Sequence, residues 1–255
     1  MLASQRQERI LAEVRRAGAV RVTDVAAELG VSEMTVRRDI TQLARKGLLE
    51  RVHGGAALTS EPSTSEPGFE AKAVRQLHEK ERIAVRAAEL VRPGLAIGLS
   101  GGTTTWALAR ELLDVPGLTV VTNSLPVAEV FHAADRSDQT VLLTGGSRTL
   151  SSALVGPVAV AAVQSLHLDI VFLGTHGLDL TAGLSTPNLL EADINRALIR
   201  SARRTVVLCD HTKFGTIGIS SFAGLHDIDT LITDDGMPEA TRQELAAQVD
   251  HLIVA

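Results

Sequence analysis

Three arginines and two threonines fall on one side of a short helical pattern in SEMTVRRDITQLARK, residues 32–46. At 3.6 residues per turn, Val36, Ile40 and Leu43 project within a narrow arc and must be the buried side. The opposite arc carries Met34, Thr35, Arg37, Arg38, Thr41, Gln42 and Arg45, so it holds three cations and no carboxylate. Arginine grips phosphate, or guanine O6 and N7, through two parallel hydrogen bonds, and threonine donates to phosphate or touches a thymine methyl. The chemistry offered is therefore recognition of duplex DNA. An ordinary solvated helix face has a similar composition, so the flanking residues decide. Upstream, Thr23 can cap a helix whose stripe is Val25, Ala26 and Leu29, Gly30 suits the left-handed residue that ends it, and Ser32 caps the next. Asp39 lies nearer the buried side and is expected to orient an arginine. Downstream, Leu48 to Ala56 reads as a hairpin with Leu49 and Val52 packed inward, Arg51 and His53 reaching for phosphates, and Gly54-Gly55 supplying the unusual backbone angles. Cap, turn, helix and basic hairpin occur in the order of a winged helix-turn-helix.

A second group of residues offers anion chemistry of another kind. Ser100-Gly101-Gly102-Thr103-Thr104-Thr105 follows an apolar run and opens a helical pattern. Glycines admit the backbone close to an anion, and a helix N-terminus presents free N–H groups. A plain glycine turn reads the same way. The loop lacks the GKS or GKT ending of a nucleotide P-loop and is not GxGxxG, which disfavours ATP and NAD. Thr122-Asn123-Ser124 and Thr144-Gly145-Gly146-Ser147-Arg148 are short donor-rich strand ends that turn chemistry also explains. In Asp210-His211-Thr212-Lys213-Phe214-Gly215 the lysine is a natural point charge for phosphate, with Asp210 to orient it or to bind sugar hydroxyls. A surface Asp–Lys pair is the alternative.

These loops need a scaffold. A first helix is expected over Arg6 to Ala17, with Ile10, Leu11 and Val14 inward, and another over about Glu70 to Val91. Strands are expected at Leu95–Leu99, Leu118–Thr122, Thr140–Thr144, Asp169–Leu173, Val206–Asp210, Thr230–Thr233 and Leu252–Ala255. Helices are expected between them at Thr105–Leu113, Leu125–Ala133, Val158–Leu166, Leu189–Ala202 and Pro238–Gln248. Such alternation implies a parallel sheet covered on both faces, with ligands at the carboxyl ends of the strands. The polar run TSEPSTSEPG, Thr59 to Gly68, reads as a linker. The expected domains are a DNA-binding head over 1–58, a linker over 59–70, and a ligand-binding body over 71–255.

Composition fits that division. The 255 residues carry a net charge of −5, but residues 1 to 60 hold ten Lys/Arg against seven Asp/Glu, and the remainder 15 against 23. A basic head on an acidic body suits a DNA reader whose body stays off the DNA. Tyrosine is absent and aromatics make up 2%, which argues against stacking recognition of single strands. The one cysteine, Cys209, lies in the run TVVLC and reads as a small buried hydrophobe, so no disulfide forms within the chain. No stretch approaches the roughly 18 apolar residues of a membrane span, and the charged N-terminus is unlike a secretory signal, giving a cytoplasmic expectation.

The run SEMTVRRDITQLARKGLLERVHGGA resembles the signature of the DeoR family of bacterial transcriptional regulators. The resemblance continues through IGLSGGTTT, VVTNSLPVAEVF, LLTGGSR, DIVFLGTHGLD, GLSTPNLLEADINRALI and VLCDHTKFG in the family's order, and so covers nearly the whole chain. It implies a fold class of α/β, a small N-terminal winged helix-turn-helix domain plus a larger α/β domain similar to ribose-5-phosphate isomerase and the CoA transferases. It implies Ser32, Thr35, Arg37, Arg38, Arg51 and His53 as DNA contacts. For the body it implies a phosphorylated sugar held at its phosphate by Gly101 to Thr105 and Lys213, with Asp179, Glu191 and Asp210 facing the sugar; Ser100 and Asn123, from the strand-end loops, are the further expected effector-binding residues.

That kinship raises a rival, an aldose–ketose isomerase, which needs a carboxylate base and a cation for the enediolate. Glu191 and Asp179 could supply carboxylates, but Thr181 to Leu190, leading to Glu191, contains no lysine or arginine where the related isomerases carry a lysine. A metal site is the third possibility: His176-x-x-Asp179, His167-x-Asp169 and His211 could gather, yet no HxxxH or CxxC spacing occurs. The resulting expectation is a repressor and not an enzyme, without catalytic residues, metal or cofactor. Its partners are expected to be operator DNA, a phosphorylated sugar that releases it, and further copies of itself as a dimer or tetramer.

Overall fold

The structure is a computed structural model that describes residues 3–45, 48–52, 54–57 and 63–255. It divides into two compact units, Met1–Glu61 and Pro62–Ala255.

The first unit contains α1 (Ala3–Ala17), β1 (Ala19–Arg21), α2 (Val22–Leu29), α3 (Glu33–Arg45), β2 (Glu50–Val52) and β3 (Gly55–Ala57). Ile10 and Val14 of α1 meet Val22, Val25, Val36, Ile40, Leu43 and Leu49 in one core, the inner faces that periodicity picks out. Gly30 ends α2 in the left-handed conformation at φ 63°, and its N–H returns to the Ala26 carbonyl. Ser32 caps α3, accepting from the Thr35 N–H at 3.2 Å. Thr23 is not a cap: α2 starts one residue earlier behind Arg21, and the Thr23 hydroxyl donates instead to Asp24 at 3.0 Å. The three strands form an antiparallel sheet in the order β1-β3-β2. Gly54 takes the turn at φ 77°. Gly55 is needed for a different reason, because a Cβ there would run into the Val20 carbonyl oxygen of β1. Leu49 packs inward as expected, but Val52 is exposed, since β2 lies at the sheet edge with outward-facing side chains.

The second unit opens with α4 (Phe69–Ala73) and α5 (Leu77–Ala88), followed by β4 (Ala96–Leu99), α6 (Thr103–Glu111), β5 (Thr119–Thr122), α7 (Leu125–Ala134) and β6 (Thr140–Leu143). A ribbon of β7 (Ser147–Arg148) and β8 (Leu154–Val155) leads to α8 (Pro157–Gln164), β9 (Ile170–Gly174), β10 (Gly177–Asp179), β11 (Gly183–Thr186) and α9 (Leu189–Arg200). The chain finishes with β12 (Thr205–Leu208), β13 (Ser220–Ala223), β14 (Thr230–Thr233), α10 (Glu239–Ala246) and β15 (His251–Val254). All seven expected strands are present, within a residue or two, as one parallel sheet in the order β15-β14-β12-β9-β4-β5-β6. Alternate residues separate to its two faces. Val120, Phe172, Val206 and Ile232 join Ile83 and Leu108 in one core. Val121, Val171, Val207 and Leu231 join Val163, Ile194 and Leu245 in the other.

The single helix expected over 70–91 is broken, because Gln76 adopts a left-handed backbone at φ 49° between α4 and α5. The carbonyls freed at the break, Lys72 O and Arg75 O, accept from Lys80 Nζ at 2.6 and 2.5 Å. From β4 the chain moves outward through β5 and β6, then returns to place β9 on the other side of β4. The direction of winding thus reverses between β4 and β9, which is where an open α/β sheet leaves a crevice at its carboxyl ends.

Candidate functional site

On the first unit, α3 exposes Met34, Arg37, Arg38 and Arg45. Arg37 and Arg51 line one surface cleft of about 300 Å³ between α3 and the wing, so two cations from separate elements come together. The face is not free of carboxylates: Glu33 pairs with Arg37 at 2.9 Å, one turn along the helix. An exposed pair of this kind holds by only a few tenths of a kcal/mol and yields readily to a phosphate. Ser32 and Thr35 share a hydroxyl–hydroxyl bond of 2.9 Å at the helix start. Asp39 does orient an arginine, but it is Arg6 of α1, whose Nε lies 2.5 Å from Oδ2; Gln7 bonds Gln42 beside it at 2.7 Å. The first helix therefore braces the back of α3. His53 lies outside the described residues.

In the second unit a cavity of about 60 Å³ lies at the crevice, where the loops after β4 and β9 meet. Gly101, Gly102, Thr103 and Thr104 form one wall. Their supports are behind them. Ser100 accepts from the Gly174 N–H at 3.1 Å and ties the two strand ends together. Asn123 accepts from the Gly101 N–H at 2.8 Å, and the Thr105 hydroxyl donates back to the Ser100 carbonyl at 2.7 Å. A Cβ on Gly101 would lie 2.6 Å from that of Ala153, so the loop is closely packed from outside. Lys213 lines the cavity from a single 3₁₀ turn, His211–Lys213, that the buried Asp210 caps by accepting from the Thr212 N–H at 3.1 Å. Glu191 lines it from the first turn of α9 and accepts from Thr149 at 2.7 Å. Ser100, Thr105, Asn123 and Asp210 thus stand behind the wall. Asp179 stands outside it, its carboxylate taken by the Thr181 and Ala182 N–H groups of the β10–β11 turn, both at 2.8 Å.

Sequence reasoning missed the remaining charges. Lys72, Lys80 and Glu66 all line the cavity, brought from the segment before β4. Cations therefore do reach Glu191, though not from the stretch that precedes it. Burial pushes the Lys80 ammonium down to about 8, with Lys213, Lys72 and Arg75 adding to the fall and Asp210 opposing it. Lys72 is likewise lowered, mainly by burial, with Glu191 and Glu66 opposing. Burial raises the Glu191 carboxyl above the usual carboxylate range; its bond from Thr149 and the nearby Lys72 oppose this, and the neighbouring Glu66 charge adds to it. Cys209 is buried and its thiol is pushed well up, so it packs as a small hydrophobe. Among the described residues no three His, Cys, Asp or Glu side chains converge as metal ligands, and no helix is long and apolar enough to cross a membrane.

Comparison with known proteins gives two family-model matches. Residues 6–62 match the DeoR-like helix-turn-helix domain and residues 75–235 the DeoR C terminal sensor domain. The HTH-type transcriptional regulator GlpR of Haloferax volcanii is 36% identical over 96% of this chain and 95% of its own. The glycerol-3-phosphate regulon repressor of Escherichia coli K12 is 33% identical over 99% and 98%. Among solved structures, ribose 5-phosphate isomerase A of Methanocaldococcus jannaschii overlaps 53% of each chain at 19% identity and a TM-score of 0.38, a loose likeness.

Proposed function

The chain belongs to the DeoR family of transcriptional regulators, and from that premise we propose that it represses carbohydrate-metabolism genes until a phosphorylated sugar releases it from its operator. The observation that carries the ligand class is the crevice itself. Gly101 to Thr104, Lys213, Lys72 and Lys80 line it together with the carboxylates of Glu191 and Glu66. A phosphate takes the glycine-threonine loop and the lysines, and a polyol the carboxylates. Ser32, Thr35, Arg37, Arg38 and Arg51, with His53, are the proposed DNA contacts. Asp210, Asn123, Ser100 and Thr105 are proposed as supports of the ligand site, with Asp179 beyond it. The repressor acts as a dimer or tetramer in the cytoplasm, since one small head buries too little surface to discriminate an operator.

Anisotropy of the full chain on its own upstream DNA, titrated with sugar phosphates and the matching free sugars, tests this reading. Release by one phosphosugar and not by its unphosphorylated sugar is expected; operator affinity unchanged by a phosphosugar that demonstrably binds overturns the release mechanism. The isomerase reading keeps one specific observation, the raised Glu191 carboxyl beside lysines, as a base beside cations. Incubating the chain with the same panel and looking for aldose–ketose conversion separates the two, and no turnover is expected.

A further inference from the structure

Glu66 belongs to neither matched domain: it lies between residues 62 and 75, in the polar run that sequence reads as a linker. The structure nevertheless folds residues 63–68 against the body as a strap along the cavity. The Ser63 carbonyl accepts from the Ile219 N–H at 2.9 Å, and the strap ends where the Phe69 N–H donates to the Leu150 carbonyl at 3.1 Å. Between these points the Glu66 carboxylate accepts from Ser151 at 2.8 Å and from Asn188 at 3.2 Å, and Ser151 in turn accepts from Lys72 at 2.8 Å. Phe69, the next residue but two, stands edge-on to Trp106 with centroids 5.9 Å apart.

Two physical points give this arrangement a direction. The cavity is lined in part by segments without regular structure, which are the ones able to adjust to a ligand. Among these, 63–68 is held to the rest of the unit at its two ends, through Ser63 and Phe69, and by Glu66 between them. The lining carries both signs, with the Lys72 ammonium beside the carboxylates of Glu66 and Glu191, so a phosphate takes the Gly101–Thr104 loop and Lys213 while ligand hydroxyls meet Glu66. Carboxylates accept two hydroxyl hydrogen bonds at once, and such charge-assisted bonds are the strong ones.

We propose that Glu66 is a specificity-determining residue for the ligand's sugar portion, exchanging Ser151 and Asn188 for ligand hydroxyls and moving the 63–68 strap as it does so. This rests on the proposed phosphosugar ligand and adds to it the residue and the segment that sense it.

The test uses the full chain, with inorganic phosphate, glycerol 3-phosphate, ribose 5-phosphate and fructose 6-phosphate as probes. Binding is followed by calorimetry and by the emission of Trp106, the single tryptophan. In the wild-type chain one phosphosugar is expected to bind more tightly than inorganic phosphate and to change Trp106 emission, while inorganic phosphate binds without that change. Glu66→Gln and Glu66→Ala are expected to weaken the phosphosugar by about tenfold or more, the scale of a lost bond to a charged group, and to leave inorganic phosphate within about twofold. Equal loss for both probes makes Glu66 a structural support and overturns the proposal, as does no loss for either. A wild-type chain that binds inorganic phosphate but none of the phosphosugars, or binds no probe, overturns the ligand class and the role of Glu66 with it.

Discussion

Lys80 is an ammonium group 4% exposed in a cavity it shares with two other lysines, and its pKa near 8 follows first from burial and then from those like charges. The sign of its effect on folding is set by the fall from 10.5. The unfolded chain holds the proton more tightly, so the charged lysine opposes folding below pH 8, and stability recovers as pH rises from about 8 to 10.5. For an anionic ligand the sign reverses, because bound phosphate favours the charged form. Phosphate is already dianionic above about pH 7, so its own titration does not interfere. Affinity for a phosphosugar is therefore expected to hold up to pH 8 and then fall by as much as about tenfold per unit, measured by calorimetry across that range. Lys80→Gln, whose amide can still donate to Lys72 O and Arg75 O, should bind more weakly and show a flatter profile; an unchanged profile removes Lys80 from the anion site. Arg37 supports a second test at this scale. Arg37→Ala is expected to lose about 1–3 kcal/mol on the operator with relaxed sequence preference if it reads a base, and to lose equally on all duplexes if it meets only phosphate.

At the scale of elements, α3 can present its arginines only if its back is held, and Arg6 and Asp39 hold it. Asp39→Ala removes the buried carboxylate that Arg6 and Gln7 bond to on the back of α3. A loss of about 2 kcal/mol is expected in urea unfolding of the first unit, with operator binding weakened alike for all sequences. Undiminished stability would show that the apolar core of Ile10, Val14, Ile40 and Leu43 alone fixes the helix. This brace was half legible: Asp39 falls on the inner arc of its helix, but nothing local names a partner 33 residues away. The same limit runs through the second unit. Runs such as IVFLG, TVVL and TLIT announce strands buried on both faces, and the parallel sheet followed from them. The small sheet β10-β11-β13 did not, because strands of three or four residues carry too short a pattern to show a period. The break at Gln76 lacks any Gly or Pro to mark it, so Lys72 and Lys80 stayed hidden in an apparently continuous helix. Glu66 stayed hidden for the opposite reason: a run of Ser, Thr, Pro and Glu looks the same whether it floats or docks, and only Ser151 and Asn188, 85 and 122 residues away, decide.

At the scale of the whole molecule, a basic unit matching the DeoR-like helix-turn-helix domain precedes an acidic unit matching the sensor domain, and the segment carrying Glu66 of the proposed ligand cavity lies between the two matched spans. If ligand and operator each favour a different setting of that segment, their binding is coupled by one free energy, and the coupling must be reciprocal. A coupling of about 1–3 kcal/mol lowers operator affinity by about 5- to 150-fold when the phosphosugar is bound, and operator DNA must lower phosphosugar affinity by the same factor. Calorimetric titration of the phosphosugar into the free chain and into the chain saturated with operator duplex measures one side of the cycle; anisotropy with and without the phosphosugar measures the other. The two factors are expected to agree. Scrambled duplex at equal concentration and salt controls for the charge of DNA, because an effect of its field on an anionic ligand would persist with any sequence and fade as salt is raised. Equal factors that depend on operator sequence identify a conformational link through the protein. Ligand affinity unmoved by operator, alongside operator affinity lowered by the phosphosugar, would mean that the apparent release comes from something other than the cavity.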